Sequence, residues 1–287
     1  MIQHSENIFC EYTVESWKDC RELLKLIEGW VFRGQADSDW LLQTTLERGA
    51  KINSTNTRNI PLVEKNIIDK FQRRAIHYLD KYPEKENILE WLSLIQHHGG
   101  PTRLLDFSYS YYVSLFFSID QAIKESSIYC LNRELVRQKG LETEKWRGLD
   151  NENKFGTREY CNDALKEQTS NPLVILVEPF NMHERLSRQQ GLFAVPFEGR
   201  QSFEYNLSLT VNRYQKELPK SRVIDSYIEE LEILRYECAL LKIKIPKLLH
   251  NEIRKELKLM NISSETLYPG IDGFSKSLYG EFDLKSR

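Results

Sequence analysis

The run Gln96-His97-His98-Gly99-Gly100-Pro101-Thr102-Arg103-Leu104-Leu105-Asp106 constrains this chain more tightly than any other segment. Paired glycines end a helix, because they adopt conformations other residues avoid, and a proline just beyond cannot continue it. A helix must therefore stop at His97-His98 and an extended segment must start near Thr102. Alternation along that segment predicts Thr102, Leu104 and Asp106 on one face and Arg103 and Leu105 on the other.

Farther upstream, Trp30-Val31-Phe32-Arg33 reads as a short buried strand that exits at Gly34-Gln35. Arginine at the end of an apolar strand points its guanidinium into a crevice, and the neighbouring glycine lets a ligand or another backbone approach. Both segments set hydrogen-bonding side chains among apolar neighbours, which is costly in a core and useful in a pocket. They are expected to form two walls of one site that accepts a phosphate or carboxylate. An internal ion pair between Arg33 and Glu47 or Asp106 is the plainer alternative.

Elsewhere the pattern alternates helix and strand. Helical spacing is predicted over Ser16 to Glu28, Leu62 to Leu79 and Asn87 to His97. The run Tyr111 to Ser118 is apolar on nearly every side and reads as a buried helix. Strands are expected at Ser126–Leu131, Leu173–Pro179, Gly191–Val195 and Tyr236–Pro246, with a helix over Lys247–Met260 and a short one in the tail near Phe274. Residues 132–170 are polar, with few aliphatics, and are expected to form an insertion between two strands. No linker divides the chain, so a single domain over residues 8–280 is expected.

Composition excludes several classes. The 40 basic and 42 acidic residues leave no global field for nucleic acid. Five scattered cysteines without a CxxC pair argue against a disulfide framework and a zinc site, and fit a reducing cytoplasm. No apolar run approaches the roughly 18 to 20 residues that span a bilayer, and the first residues lack the basic-then-apolar order of a signal peptide. A soluble cytoplasmic protein with no membrane partner is therefore expected. Walker, GxGxxG and GxSxG motifs are absent. The adjacent histidines are poorly spaced to share one metal, so no metal site is assigned. A third polar junction, Gln189-Gln190-Gly191-Leu192-Phe193, opens a strand and follows Arg185 and Arg188; a glutamine there can read a ribose hydroxyl or cap the strand edge.

These segments together resemble the FRG domain family, through Phe32-Arg33-Gly34-Gln35, Leu46-Glu47-Arg48, the block Gln96 to Asp106 with its apolar helix, Arg185 to Phe193 and the tail Leu267 to Gly273. Phe107 stands where the family usually has tryptophan, and Ser114 lies in a helix that is usually alanine-rich. The order of the motifs is further similar to mono-ADP-ribosyltransferases of the Arg-Ser-Glu type. That similarity implies an α+β fold with a split mixed or antiparallel sheet flanked by helices, and NAD as the nucleotide used. It places Arg33, Gly34, Gln35, Gln96, Thr102 and Gln190 at the cofactor, and His97, Arg103 and Asp106 at the chemistry, with Gln190 near the place of a catalytic glutamate. It implies an NAD-using transferase or glycohydrolase with a protein or nucleic-acid target, in bacterial defence or as a toxin. Two other readings stay open at this point: a nucleotide-sensing module without turnover, and a metal-dependent nuclease built on Glu47, His97, His98 and Asp106.

Overall fold

In the computed structural model, residues 8–146, 153–212 and 239–279 are described. The fold is α+β, a seven-stranded mixed sheet flanked by helices. Its strands are β1 (Cys10–Thr13), β2 (Val31–Gln35), β3 (Leu105–Ser108), β4 (Ser126–Leu131), β5 (Val174–Val177), β6 (Gly191–Pro196) and β7 (Leu240–Ile245). They lie in the order β1-β7-β4-β2-β3-β6-β5, with β1 and β7 parallel and every other pair antiparallel.

The helices are α1 (Trp17–Leu26), α2 (Thr45–Ile52), α3 (Ile60–Ala75), α4 (Ile88–His97), α5 (Tyr111–Ile119), α6 (Arg133–Trp146) and α7 (Arg158–Glu167). They continue with α8 (Glu184–Arg188), α9 (Phe203–Asn212), α10 (His250–Leu259), α11 (Ser264–Leu267) and α12 (Gly270–Ser277). Local chemistry sets many of the starts. Ser16, Thr44, Asn87, Ser110 and Thr157 each accept a backbone N–H of the first turn, and Thr44 with Glu47 completes a capping box. Each such cap stabilises its helix by about 1 kcal/mol.

Strand alternation sorts the core by face. On one face Phe32, Ile128, Cys130, Leu241 and Ile243 pack against α1, α5 and α10. On the same face, beyond β3, Ile175, Val177, Phe193 and Val195 pack against α3, α4 and α7. The opposite face carries Val31, Leu105, Phe107, Tyr129, Leu131 and Leu192 under α6 and α9. The first face is thus covered by two separate apolar clusters, and Asp106 of β3 points into the divide between them, beside Phe193 in register.

Several sequence expectations change. The insertion expected over residues 132–170 holds two helices in its described parts, and Val136, Cys161 and Leu165 join the core. Its polar residues coat the outer sides of helices too short on aliphatics to show a clear period. Helix α5 is not buried all round, since Tyr111, Tyr112, Phe116 and Phe117 are only half-buried. Strand β1 and helices α8 and α9 were not foreseen. The expected strand at 236–246 is seen over Leu240–Ile245, and residues 236–238 lie outside those described. Cys10, Cys20, Cys130 and Cys161 are buried free thiols. No helix is long and apolar enough to cross a membrane among the described residues.

Candidate functional site

The site is built on a weak seam. Strands β2 and β4 pair over five positions, from Val31/Leu131 to Gln35/Ser127, whereas β2 and β3 pair only at Phe32/Ser108 and then part. Arg33 occupies the opening. Its Nη1 donates to the carbonyl of Asp106 at 2.8 Å, which substitutes for a ladder bond that the separated strands no longer make. Its Nε is buried with no partner, and it forms no ion pair among the described residues. Burial pushes the Arg33 pKa down, Asp106 opposes that, and Arg48 adds to it. A positive charge held this way, half-buried and unneutralised, is unfavourable until an anion arrives.

Gly34 explains why the seam can form here. A Cβ at this position would lie 1.9 Å from the Ser114 carbonyl and 2.5 Å from the Ser118 nitrogen, so α5 rests directly on the β2 backbone. Gln35 turns to the other face, where its amide donates to Leu41 O at 3.3 Å and its Oε1 is buried without a partner.

The second motif divides between scaffold and site. The Thr102 hydroxyl donates to Gln96 Oε1, its N–H donates to Thr45 Oγ1 at 2.9 Å, and its carbonyl accepts from Leu46 N–H at 3.0 Å. Gln96 and Thr102 therefore tie the end of α4 to the start of α2. Arg103 departs from its expected place. Its guanidinium is buried against Glu64 of α3, with Nε 2.9 and 2.8 Å from the two carboxylate oxygens, and Nη1 donates to Phe197 O at 2.9 Å. Burial alone would lower its pKa, but Glu64 outweighs that and the net shift is upward. Arg103 is a neutralised structural cation, and it does not join Arg33.

His97 meets His183, on which Asp106 also acts. At the end of α4, His97 lies with its ring centroid 4.0 Å from that of His183 and 4.8 Å from that of His98, and its Nδ1 is buried without a partner. His183 is the N-cap of α8, its Nδ1 accepting Leu186 N–H at 3.1 Å, so the neutral ring carries its proton on Nε2. Burial, reinforced by His97 and Arg185, pushes the His183 pKa down to about 4 against the pull of Asp106. Burial, with His98 and Arg185, also lowers that of His97. Both rings are thus neutral near pH 7. The Asp106 carboxylate is half-buried and accepts no hydrogen bond among the described residues.

The third junction meets the second. Ser108 Oγ donates to Gln189 O at 2.7 Å and Tyr109 N–H to Gln190 O at 2.9 Å, so the junction opens β6 directly beside β3. Gln189 is buried, its amide donating to Leu267 O at 3.2 Å and anchoring the tail. Gln190 is exposed and holds φ of 47°, a left-handed conformation uncommon for residues with a Cβ. The three motif segments therefore occupy the adjacent strands β2, β3 and β6.

His183 and Arg185 were missed as site residues. The sequence offered no signal for His183, because a histidine N-cap on a five-residue helix has no distinctive pattern, and Arg185 stood out only by preceding Gln189-Gln190. Glu47 belongs elsewhere: it accepts Thr44 N–H at 2.7 Å and Phe203 N–H, joining the starts of α2 and α9. It lines a pocket of about 150 Å³ with Leu42, Lys51, Ile60, Arg200 and Glu204, apart from Arg33 and His97. Among the described residues, no group of three His, Cys, Asp or Glu side chains is arranged to hold a metal ion.

No curated protein and no solved structure matches the chain. The segments Arg185–Phe193 and Leu267–Gly273 lie outside the residues matched by a family model. That model, described as the FRG domain, matches residues 28–127, the stretch that carries β2, α2 to α5 and β3, so the seam and its two principal motifs lie within the part of the chain that is similar to the FRG domain.

Proposed function

We propose that the cleft along the β2/β3 seam binds an anionic nucleotide, NAD foremost, and uses it for ADP-ribosyl transfer or glycohydrolysis. The observation that carries this reading is Arg33, a half-buried guanidinium with an orphaned Nε and no carboxylate partner among the described residues. A phosphate would neutralise it and satisfy its free donors. Support also comes from the neighbouring strands β2, β3 and β6, which bring Arg33, Asp106 and Gln190 from distant parts of the chain to one sheet region.

In this reading Arg33 grips the phosphates, and His97 with Gln190 orients the ribose. As the bond from ribose C1′ to nicotinamide breaks, nicotinamide leaves with the electron pair and positive charge grows on the sugar. The Asp106 carboxylate, free of hydrogen bonds from the described residues, stabilises that charge, and a water or a target side chain adds to C1′ and releases a proton. Gln35, Gln96, Thr102 and Arg103 act as scaffold. A role in bacterial defence or as a toxin follows from analogy with such chemistry.

A binding module without turnover is the second reading, favoured by the uncharged Gln190 at the place where the similar transferases use glutamate. Incubation with NAD separates them. Nicotinamide release or ADP-ribose transfer, lost in Asp106→Asn, supports the enzyme, whereas calorimetric binding lost in Arg33→Ala with no product supports the module. Equal NAD affinity in Arg33→Ala and the parent defeats both.

A further inference from the structure

We propose that the pocket bounded by α2, residues 41–43 and the start of α9 binds a small carboxylate whose apolar body is about the size of one ring. The pocket is a different place from the nucleotide cleft, and the proposal does not rest on that reading.

Hydrogen bonds hold its walls in position. Leu42 N–H donates to Glu204 Oε1 at 3.0 Å, fastening the segment to α9, and Phe203 N–H donates to Glu47 Oε1, fastening α2 to the same helix. The space they enclose is about 150 Å³. A cavity of about that volume with aliphatic walls accommodates a benzene ring, whereas drug-sized ligands occupy pockets of roughly 300 Å³ or more. Leu41, Leu42, Ala50 and Ile60 supply apolar wall here. Leu41 is 42% exposed and its neighbour Trp40 56%, so apolar surface on this segment stays in water until something covers it.

The head group follows from which charges are already answered. Both carboxyl groups in the lining accept backbone N–H groups, Glu47 from Thr44 and Phe203 and Glu204 from Leu42. Burial raises the Glu47 carboxyl to about 7, so below that pH it is largely protonated and repels an anion little. Glu204 is the one opposing charge in the lining, and it is engaged with Leu42. The cations are less committed. Arg200 gives Nε and Nη2 to Glu198 at 2.9 and 3.4 Å and keeps Nη1 unused among the described residues. The Lys51 ammonium makes no hydrogen bond and no ion pair among the described residues. Cationic donors are thus left over while the acidic groups are occupied, which suits a carboxylate head and disfavours an ammonium.

An amide NMR titration of the full chain at about pH 6 with benzoate, benzamide and benzylammonium tests this, since the three share a ring and differ in charge. Benzoate is expected to shift the amides of Leu42, Ala50 and Gln201 saturably and to bind about fivefold tighter than benzamide, with benzylammonium the weakest. Lys51→Met should remove most of that preference and leave benzamide affinity unchanged. Ala50→Leu fills the space and should abolish binding of both ligands without lowering the denaturation midpoint or NAD affinity. Saturable shifts from none of the three ligands, or benzoate affinity unchanged in a folded Ala50→Leu, overturn the proposal. Benzamide bound as tightly as benzoate overturns it as well. Loss of NAD binding in a folded Ala50→Leu makes the pocket part of the nucleotide site and overturns a separate one. Benzoate held as expected by a parent that binds no NAD upholds the pocket and sinks the nucleotide reading alone.

Discussion

Arg33 and Arg103 flank the same strand region and meet opposite fates. Arg103 is 3% exposed and gives its Nε and both terminal nitrogens to Glu64 and to the carbonyls of Pro196 and Phe197. Arg33 gives a single hydrogen bond, to Asp106 O, and no carboxylate answers its charge among the described residues. Near Arg103 the chain spends a buried glutamate to make the charge safe. Along the seam it does not, and the strands part around the guanidinium. One arginine fixes the shape of the molecule, and the other keeps a charge that no carboxylate answers among the described residues.

The largest effect expected from this contrast is on Glu64. Glu64→Gln leaves Arg103 buried and unpaired and should cost about 3–5 kcal/mol of unfolding free energy in urea, whereas joint replacement of Glu64 and Arg103 by apolar residues should restore much of it. A loss below about 1 kcal/mol for the single variant would break the comparison at its structural end.

Next comes Gly34→Ala. The added methyl meets α5 backbone atoms rather than a flexible side chain, so α5 must shift off β2, at a cost of about 1–3 kcal/mol. Nucleotide affinity should fall with it, and retention of full stability and affinity would mean that α5 and β2 are not in close contact.

A pH effect of similar or smaller size is tied to Glu47. Burial, only partly offset by the hydrogen bonds from Thr44 and Phe203, raises its carboxyl to about 7 from an ordinary value near 4.5. The native state then holds a proton that the unfolded chain releases. Stability from this group is complete below about pH 4.5 and lost as pH rises through about 7, on the order of 3 kcal/mol at most. Glu47→Gln should flatten that slope in denaturation curves taken between pH 5 and 8. An unchanged slope would remove Glu47 as its source.

Arg33→Met should have the smallest effect on folding, within about 1 kcal/mol, because the lost hydrogen bond is offset by relief of an unneutralised charge. Its effect on nucleotide binding should be the opposite, a loss beyond detection. A folding penalty as large as that of Glu64→Gln would show that Arg33 is structural too, and would sharpen the comparison into two scaffolds with no site.

Much of this architecture was legible in the sequence. The end of α4 at His97, the strand Ser126–Leu131 and the strand opening at Gly191 follow from glycine, proline and β-branched residues acting on their immediate neighbours. The two motif segments around Arg33 and Asp106 were recognisable as polar groups among apolar ones. Less visible were α6 and α7 within 132–170, whose few core residues are spaced too widely to mark a period, and β1, which exists only because β7 pairs with it in parallel.

For the site, the residues dictated which groups carry charge and where helices and strands must begin and end, since those are matters of local sterics and chemistry. Whether a given charge is neutralised could not be read that way. Arg103 met Glu64 thirty-nine positions away, Arg33 met only a carbonyl, and His183 arrived beside His97 through the packing of α8. Partners so far apart along the chain are chosen by the closing of the sheet, so only the folded molecule could say which arginine was spent and which was left free.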